Sequence, residues 1–213
     1  MAVQLWQVSV LMAVCVAALV VAEPGGHLRA RATLKVVASL VFVAAGAALL
    51  PLSTSAGAFM LAGLFSSMLG DVLLIPKGNK ALFLVGLGAF LAAHVAYAAA
   101  FLAHGISSYA ALLGAAALVA VGVPLSWWLA AHVKGSMRLP VAGYVVTITA
   151  MVALAVGANG AGARVTLLVG AVLFYLSDLC VARERFVSRS RWNGAVGLPL
   201  YYAAQLSLID GLR

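Results

Sequence analysis

The chain has 213 residues, of which 65% are hydrophobic and only 8% charged, and its formal net charge is +8. Its mean hydropathy is +1.14. A soluble globular domain carries roughly a quarter charged residues, so this composition argues against a water-soluble enzyme or binding module and predicts a chain built for lipid. About eight helices of ~20 residues fit this length with short loops, which predicts an all-α polytopic membrane bundle with residues 1–213 as one transmembrane domain.

Apolar runs predict helices over 3–22, 35–52, 57–75, 81–103, 107–131, 140–157, 164–182 and 197–212. Turn-like or charged breaks separate them: Glu23-Pro-Gly-Gly, Ser53-Thr-Ser-Ala-Gly, Pro76-Lys-Gly-Asn-Lys, His104-Gly, Lys134-Gly, Gly157-Ala-Asn-Gly-Ala-Gly and the basic stretch Arg183 to Arg191. Gly and Pro at such points end helices. The first run carries no Lys or Arg, so the charged start of a signal peptide is missing and the run is expected to remain as the first helix.

Lys35 opens the second helix. The third closes with Leu61-Ala-Gly-Leu-Phe-Ser-Ser-Met-Leu-Gly-Asp71, and the fourth carries His94 and Tyr97 on one face. The seventh closes with Gly170-Ala-Val-Leu-Phe-Tyr-Leu-Ser-Asp178, and the first two turns of the eighth bear Tyr201, Tyr202 and Gln205. The two aspartates stand out because the chain holds only 5 acidic residues. A carboxylate inside a membrane segment costs a few kcal/mol or more, so it usually faces the bundle interior and marks function.

Of the 13 basic residues, all but Arg164 and Arg213 fall in or beside the loops after helices one, three, five and seven. The positive-inside rule places those loops in the cytoplasm and both termini outside, in a plasma or bacterial inner membrane. The net positive charge is accounted for by topology and attraction to anionic lipid, so no nucleic-acid partner is expected. Cys15 and Cys180 are expected to remain unpaired. The scattered histidines His27, His94, His104 and His132 form no zinc spacing, and no phosphate-binding loop or nucleophile elbow is present.

With that topology Asp71 lies about 6 Å inside the cytoplasmic end of its helix, at 1.5 Å per residue, and Asp178 lies at the same depth. Lys35, Tyr201, Tyr202 and Gln205 share this layer, while His94 and Tyr97 lie deeper. Two carboxyls in an apolar site can divide into a protonated acid and an ionised partner, an arrangement that protonates one atom while activating water. The structural alternative is that each Asp caps a helix end or pairs with Lys35, Lys77 or Arg183 at the interface. A faint internal echo is also present: His94 follows Asp71, and Tyr201 follows Asp178, by 23 residues each, as an old four-plus-four duplication would leave.

At these residues the chain resembles the YhhN-like lysoplasmalogenase family, integral membrane hydrolases of vinyl-ether lipids. The likeness runs through Lys35, Ala62-Gly-Leu-x-x-Ser-x-Leu-Gly-Asp71, Gly88-Ala-Phe-x-x-x-His94-x-x-Tyr97, Gly170-Ala-x-Leu-Phe-x-x-Ser-Asp178, Arg185-Phe186 and Tyr201-Tyr-Ala-Ala-Gln205. Val36 departs from the pattern, since members often have Pro there. The resemblance implies eight helices and hydrolysis without a metal or cofactor, acting on a lysophospholipid-type substrate drawn from the surrounding membrane lipid. Asp71 and Asp178 are the expected catalytic pair, with Asp71 the more indispensable. His94, Tyr97, Tyr201, Tyr202 and Gln205 are expected to orient water and substrate, and Lys35, with Arg183 or Arg185, to hold the lipid phosphate. The rival expectation is a small proton-coupled transporter or lipid flippase that uses the same Asp pair.

Overall fold

In hydrocarbon every backbone N–H and C=O must find a partner inside its own segment, and a long apolar run meets that demand only as a helix. The computed structural model describes residues 4–22, 28–76 and 78–213, and within them the fold is helical with no strand. The expected break at Glu23-Pro-Gly-Gly, His27 and Lys77 lie outside the described residues.

Eight α-helices follow in order: α1 Leu5–Ala22, α2 Leu28–Leu49, α3 Ser55–Leu73, α4 Lys80–His104, α5 Ser108–His132, α6 Arg138–Gly160, α7 Val165–Ala182 and α8 Arg191–Leu212. Short polar side chains start several of them. Thr54 accepts the amide of Gly57, and Asn79 accepts that of Leu82, at 3.1 and 3.0 Å. Such caps satisfy amides that the first turn leaves orphaned. Gly105, at φ 109, stops α4 in a backbone conformation that a side chain would strain.

Two helix starts differ from the apolar runs. Helix α2 begins seven residues before Lys35, and α8 begins six residues before Gly197. In both cases the polar first turns carry Arg or Asn, which are compatible with helix but invisible to a hydropathy window. Between α7 and α8 the chain makes a five-residue π-turn over Arg183–Val187.

Six segments are long and apolar enough to cross a membrane: α1, α2, α3, α4, α6 with its leading 3₁₀ turn, and α7 with the π-turn. A seventh is α5 if its two halves, bent by 42° between Ala120 and Gly122, form one span. Pro124 lies just past that bend, and its missing N–H removes the hydrogen bond to the carbonyl four residues earlier. Helix α8 is the exception among the eight. It carries Arg191, Asn193, Gln205 and Asp210, but it packs against α7, α1, α2 and α3, so protein rather than lipid covers most of its faces. The outward faces of the bundle are apolar, as Trp6, Leu112, Trp127 and Val146 illustrate.

The most extensively packed helix pairs are α3 with α4 and α7 with α8. At the second crossing a Cβ on Gly170 would come within 2.9 Å of the Leu208 backbone nitrogen and 3.0 Å of the Ala204 carbonyl oxygen. Small residues let membrane helices approach this closely. Gly170→Ala is therefore expected to force α8 outward at a cost of about 1–3 kcal/mol. Thermal unfolding in detergent should show a midpoint lower by several degrees; an unchanged midpoint would contradict the close crossing. Cys15 and Cys180 are both free thiols.

Candidate active site

A cavity of about 820 Å³ opens at the end of the bundle that carries the α3–α4 and α7–α8 connectors. Lys35 from α2, Asp71 from α3, Phe90 from α4, Tyr144 from α6, Asp178 from α7 and Tyr201 from α8 line it together. Leu125 and Leu129 of α5, with Val141, Val145 and Ile148 of α6, form an apolar wall. The mouth carries Arg31, Arg185, Arg189 and Arg191. Two carboxylates, an apolar wall and a basic rim thus share one space.

Asp71 is 2% exposed and has three donors. The Lys35 ammonium sits 3.0 Å from Oδ1. The Ser39 and Tyr201 hydroxyls each donate to Oδ2 at 2.7 Å. Three donors, one of them cationic, thus occupy the oxygens of one buried carboxyl. Lys35 is itself anchored: its backbone carbonyl accepts from the Tyr202 hydroxyl at 3.4 Å and lies 3.0 Å from Ser39 Oγ.

Asp178 has a different setting. The Tyr144 hydroxyl donates to its Oδ2 at 2.7 Å. His94 Nε2 stands 3.3 Å from the same oxygen, close enough for charge pairing but misaligned for a hydrogen bond. The other ring nitrogen, Nδ1, lies 2.6 Å from the Phe90 carbonyl. A carbonyl only accepts, so the proton is assigned to Nδ1 from this contact, and Nε2 presents either a lone pair or a second proton to the aspartate. Nε2 and Asp178 Oδ2 thus face each other at 3.3 Å with no hydrogen bond between them. The rings of Phe174 and Tyr144 enclose His94, at centroid distances of 4.6 and 5.2 Å.

Lys35, Asp71, Asp178 and Tyr201 therefore share the cavity wall. His94 stands behind Asp178, and Tyr202 behind Lys35, without lining the cavity. Tyr97 and Gln205 lie in a separate buried cluster, where the Tyr97 hydroxyl donates to Gln205 Oε1 at 2.7 Å and lies 3.2 Å from Ser67 Oγ. Ser39 and Tyr144 went unnoticed in the sequence. Each had a positional signal: Ser39 is one turn beyond Lys35, and Tyr144 is the polar aromatic within the first two turns of α6, in the layer of the two aspartates. Among the described residues no group of three or more His, Cys, Asp or Glu side chains could hold a metal ion.

The sequence profile of the YhhN family matches residues 30–212. Lysoplasmalogenases of Mycobacterium bovis and Mycobacterium tuberculosis are each 32% identical to the chain over 198 residues, which cover 88% of it and 74% of the relative. The human protein Lysoplasmalogenase TMEM86B is 34% identical over 151 residues, 70% of this chain and 62% of that protein. No solved structure matches the chain. The chain belongs to the YhhN family.

Proposed function

We propose that this YhhN-family membrane protein hydrolyses lysoplasmalogens, cleaving the vinyl ether of a 1-alkenyl-glycerophospholipid into a fatty aldehyde and a glycerophospho-alcohol. Relatives named lysoplasmalogenase support the substrate class. The observation that carries the chemistry is the pair of unlike carboxyls, Asp71 with three donors and Asp178 beside His94, on the wall of one amphiphilic cavity.

A vinyl ether is cleaved by adding a proton to its β-carbon, which leaves an oxocarbenium ion. Water then attacks the cationic carbon, and the hemiacetal formed breaks its bond to the glycerol oxygen. In our reading Asp178, sharing a proton with His94, is the general acid, and the proton shed by the attacking water returns to this pair. Asp71, held by Lys35, Ser39 and Tyr201, stabilises the cation through space from a buried position where charge acts strongly. Tyr144 orients Asp178 as Tyr201 orients Asp71. The single alkyl chain lies along the apolar wall of α5 and α6. Tyr97, Tyr202 and Gln205 act through the packing and hydrogen bonds that fix these groups. The chemistry asks for no metal or cofactor.

The test is aldehyde release by purified protein given a 1-alkenyl lysophospholipid beside its saturated-ether analogue. Aldehyde from the vinyl ether and none from the saturated ether is the expected result. Equal inertness of both, in a folded and monodisperse sample, would refute the assignment.

A further inference from the structure

The π-turn Arg183–Val187 has no part in the chemistry above, yet it delivers Arg185 to the cavity mouth. Turns of this kind are rare and tend to occur at functional positions. The cations nearest the carboxylates are differently disposed. Lys35 is committed to Asp71 at 3.0 Å. Arg183 does not line the cavity, and its guanidinium donates to Asn193 Oδ1 at 2.7 Å. Glu184, the acid of the turn, accepts from Asn193 Nδ2 at 2.7 Å and from the Ser190 amide at 2.9 Å. Its carboxylate is thereby held by the connector's own donors.

Arg185 is placed otherwise. Its guanidinium carbon lies 4.2 Å above the Phe83 ring, and Phe186 meets the same ring edge-on at 6.4 Å. Stacking fixes the plane of the guanidinium and leaves its N–H edges available, the state in which an Arg grips a phosphate with two parallel hydrogen bonds at little entropic cost. Arg189 and Arg191 line the same mouth and add to its positive potential. Seven residues separate Arg185 from Asp178, roughly 10 Å along a helical chain at 1.5 Å per residue. An extended arginine side chain and the three-carbon glycerol bridge can span that interval.

We propose that Arg185, stacked on Phe83 and supported by Arg189, is the subsite for the phosphate of the lipid headgroup, and that Lys35 serves Asp71 instead. This rests on the reading of the cavity as a lysophospholipid site. It predicts that recognition depends on the phosphate rather than on the amine beyond it, since arginines line the mouth and Glu184, which also lines it, is engaged by Asn193 and Ser190.

The test compares wild type, Arg185→Gln and Arg185→Lys on a 1-alkenyl-glycerophospholipid and on the phosphate-free 1-alkenylglycerol. Arg185→Gln is expected to raise KM for the phospholipid by about tenfold or more with little change in kcat, and to leave both constants for the alkenylglycerol unchanged; Arg185→Lys should fall between. An equal effect on both substrates, or none on either, would overturn the subsite. A second arm does not need turnover. Lysophosphatidic acid should raise the thermal midpoint of wild type more than monoacylglycerol does, and Arg185→Gln should abolish that difference. If this arm succeeds while no aldehyde is released, the subsite stands and the hydrolase reading falls. If the difference persists in Arg185→Gln, the subsite falls. Equal stabilisation by inorganic phosphate alone would overturn the assignment to a lipid headgroup.

Discussion

Asp71→Asn is expected to lower kcat by about 10³-fold or more while the protein still inserts and purifies as wild type does. Asn matches the shape of Asp and can still accept from Ser39 or Tyr201, so the cavity wall keeps its form. What it lacks is the negative charge that Lys35 approaches at 3.0 Å. The ammonium then stands uncompensated at the reacting end of the cavity, where it would oppose an oxocarbenium ion instead of balancing its counter-charge. Removing one partner of a buried ion pair also costs stability. Lys35→Gln combined with Asp71→Asn removes both charges together, relieves that cost, and should be equally inactive. Steady-state kinetics in detergent, with size-exclusion chromatography as the folding check, would decide the matter. Turnover within tenfold of wild type in a monodisperse Asp71→Asn sample would eliminate Asp71 from the chemistry.

Asp178→Asn is expected to cost a comparable factor, about 10³-fold in kcat, through the loss of a proton donor rather than of a field. The two variants can therefore be told apart. An amphiphile bearing a protonated amine where the vinyl-ether carbon would sit mimics the cation and should bind through Asp71. Asp178→Asn should retain affinity for it, whereas Asp71→Asn should lose that affinity along with turnover. The opposite pattern would exchange the roles of the two acids. His94 belongs to the same test, because its Nδ1 is held by the Phe90 carbonyl and only Nε2 remains to share a proton with Asp178.

The two aspartates were legible in the sequence because charge in an apolar run is conspicuous, and their common layer followed from helix direction alone. The 23-residue echo proves informative in an unexpected way: each aspartate meets the side chain that follows the other. His94, which follows Asp71, stands against Asp178, and Tyr201, which follows Asp178, donates to Asp71. These two contacts tie the α3–α4 pair to the α7–α8 pair.

The helix faces were not legible. In a soluble helix the polar face betrays the buried one, but here lipid-facing and core-facing residues are equally apolar, and the 3.6-residue pattern fades. Tyr144 therefore looked like any aromatic of a membrane helix, and Ser39 like any small residue of α2. The early starts of α2 and α8 were hidden for the converse reason, since Arg29, Arg31 and Asn193 lower hydropathy without breaking a helix. Helix α8 also shows why hydropathy misjudges an inner helix. Enclosed by its neighbours, it can carry Asn193 and Gln205 as buried residues and fall short of the apolarity that a lipid-facing span needs.

The measurement that bears most directly on vinyl-ether protonation by this protein is the comparison of alkenyl and saturated-ether substrates run in D₂O, with the aldehyde reduced as it forms. Wild type should yield a fatty product carrying one deuterium on the carbon next to the former carbonyl, and nothing from the saturated ether. Aldehyde without that deuterium, or no aldehyde from a folded sample, would contradict it.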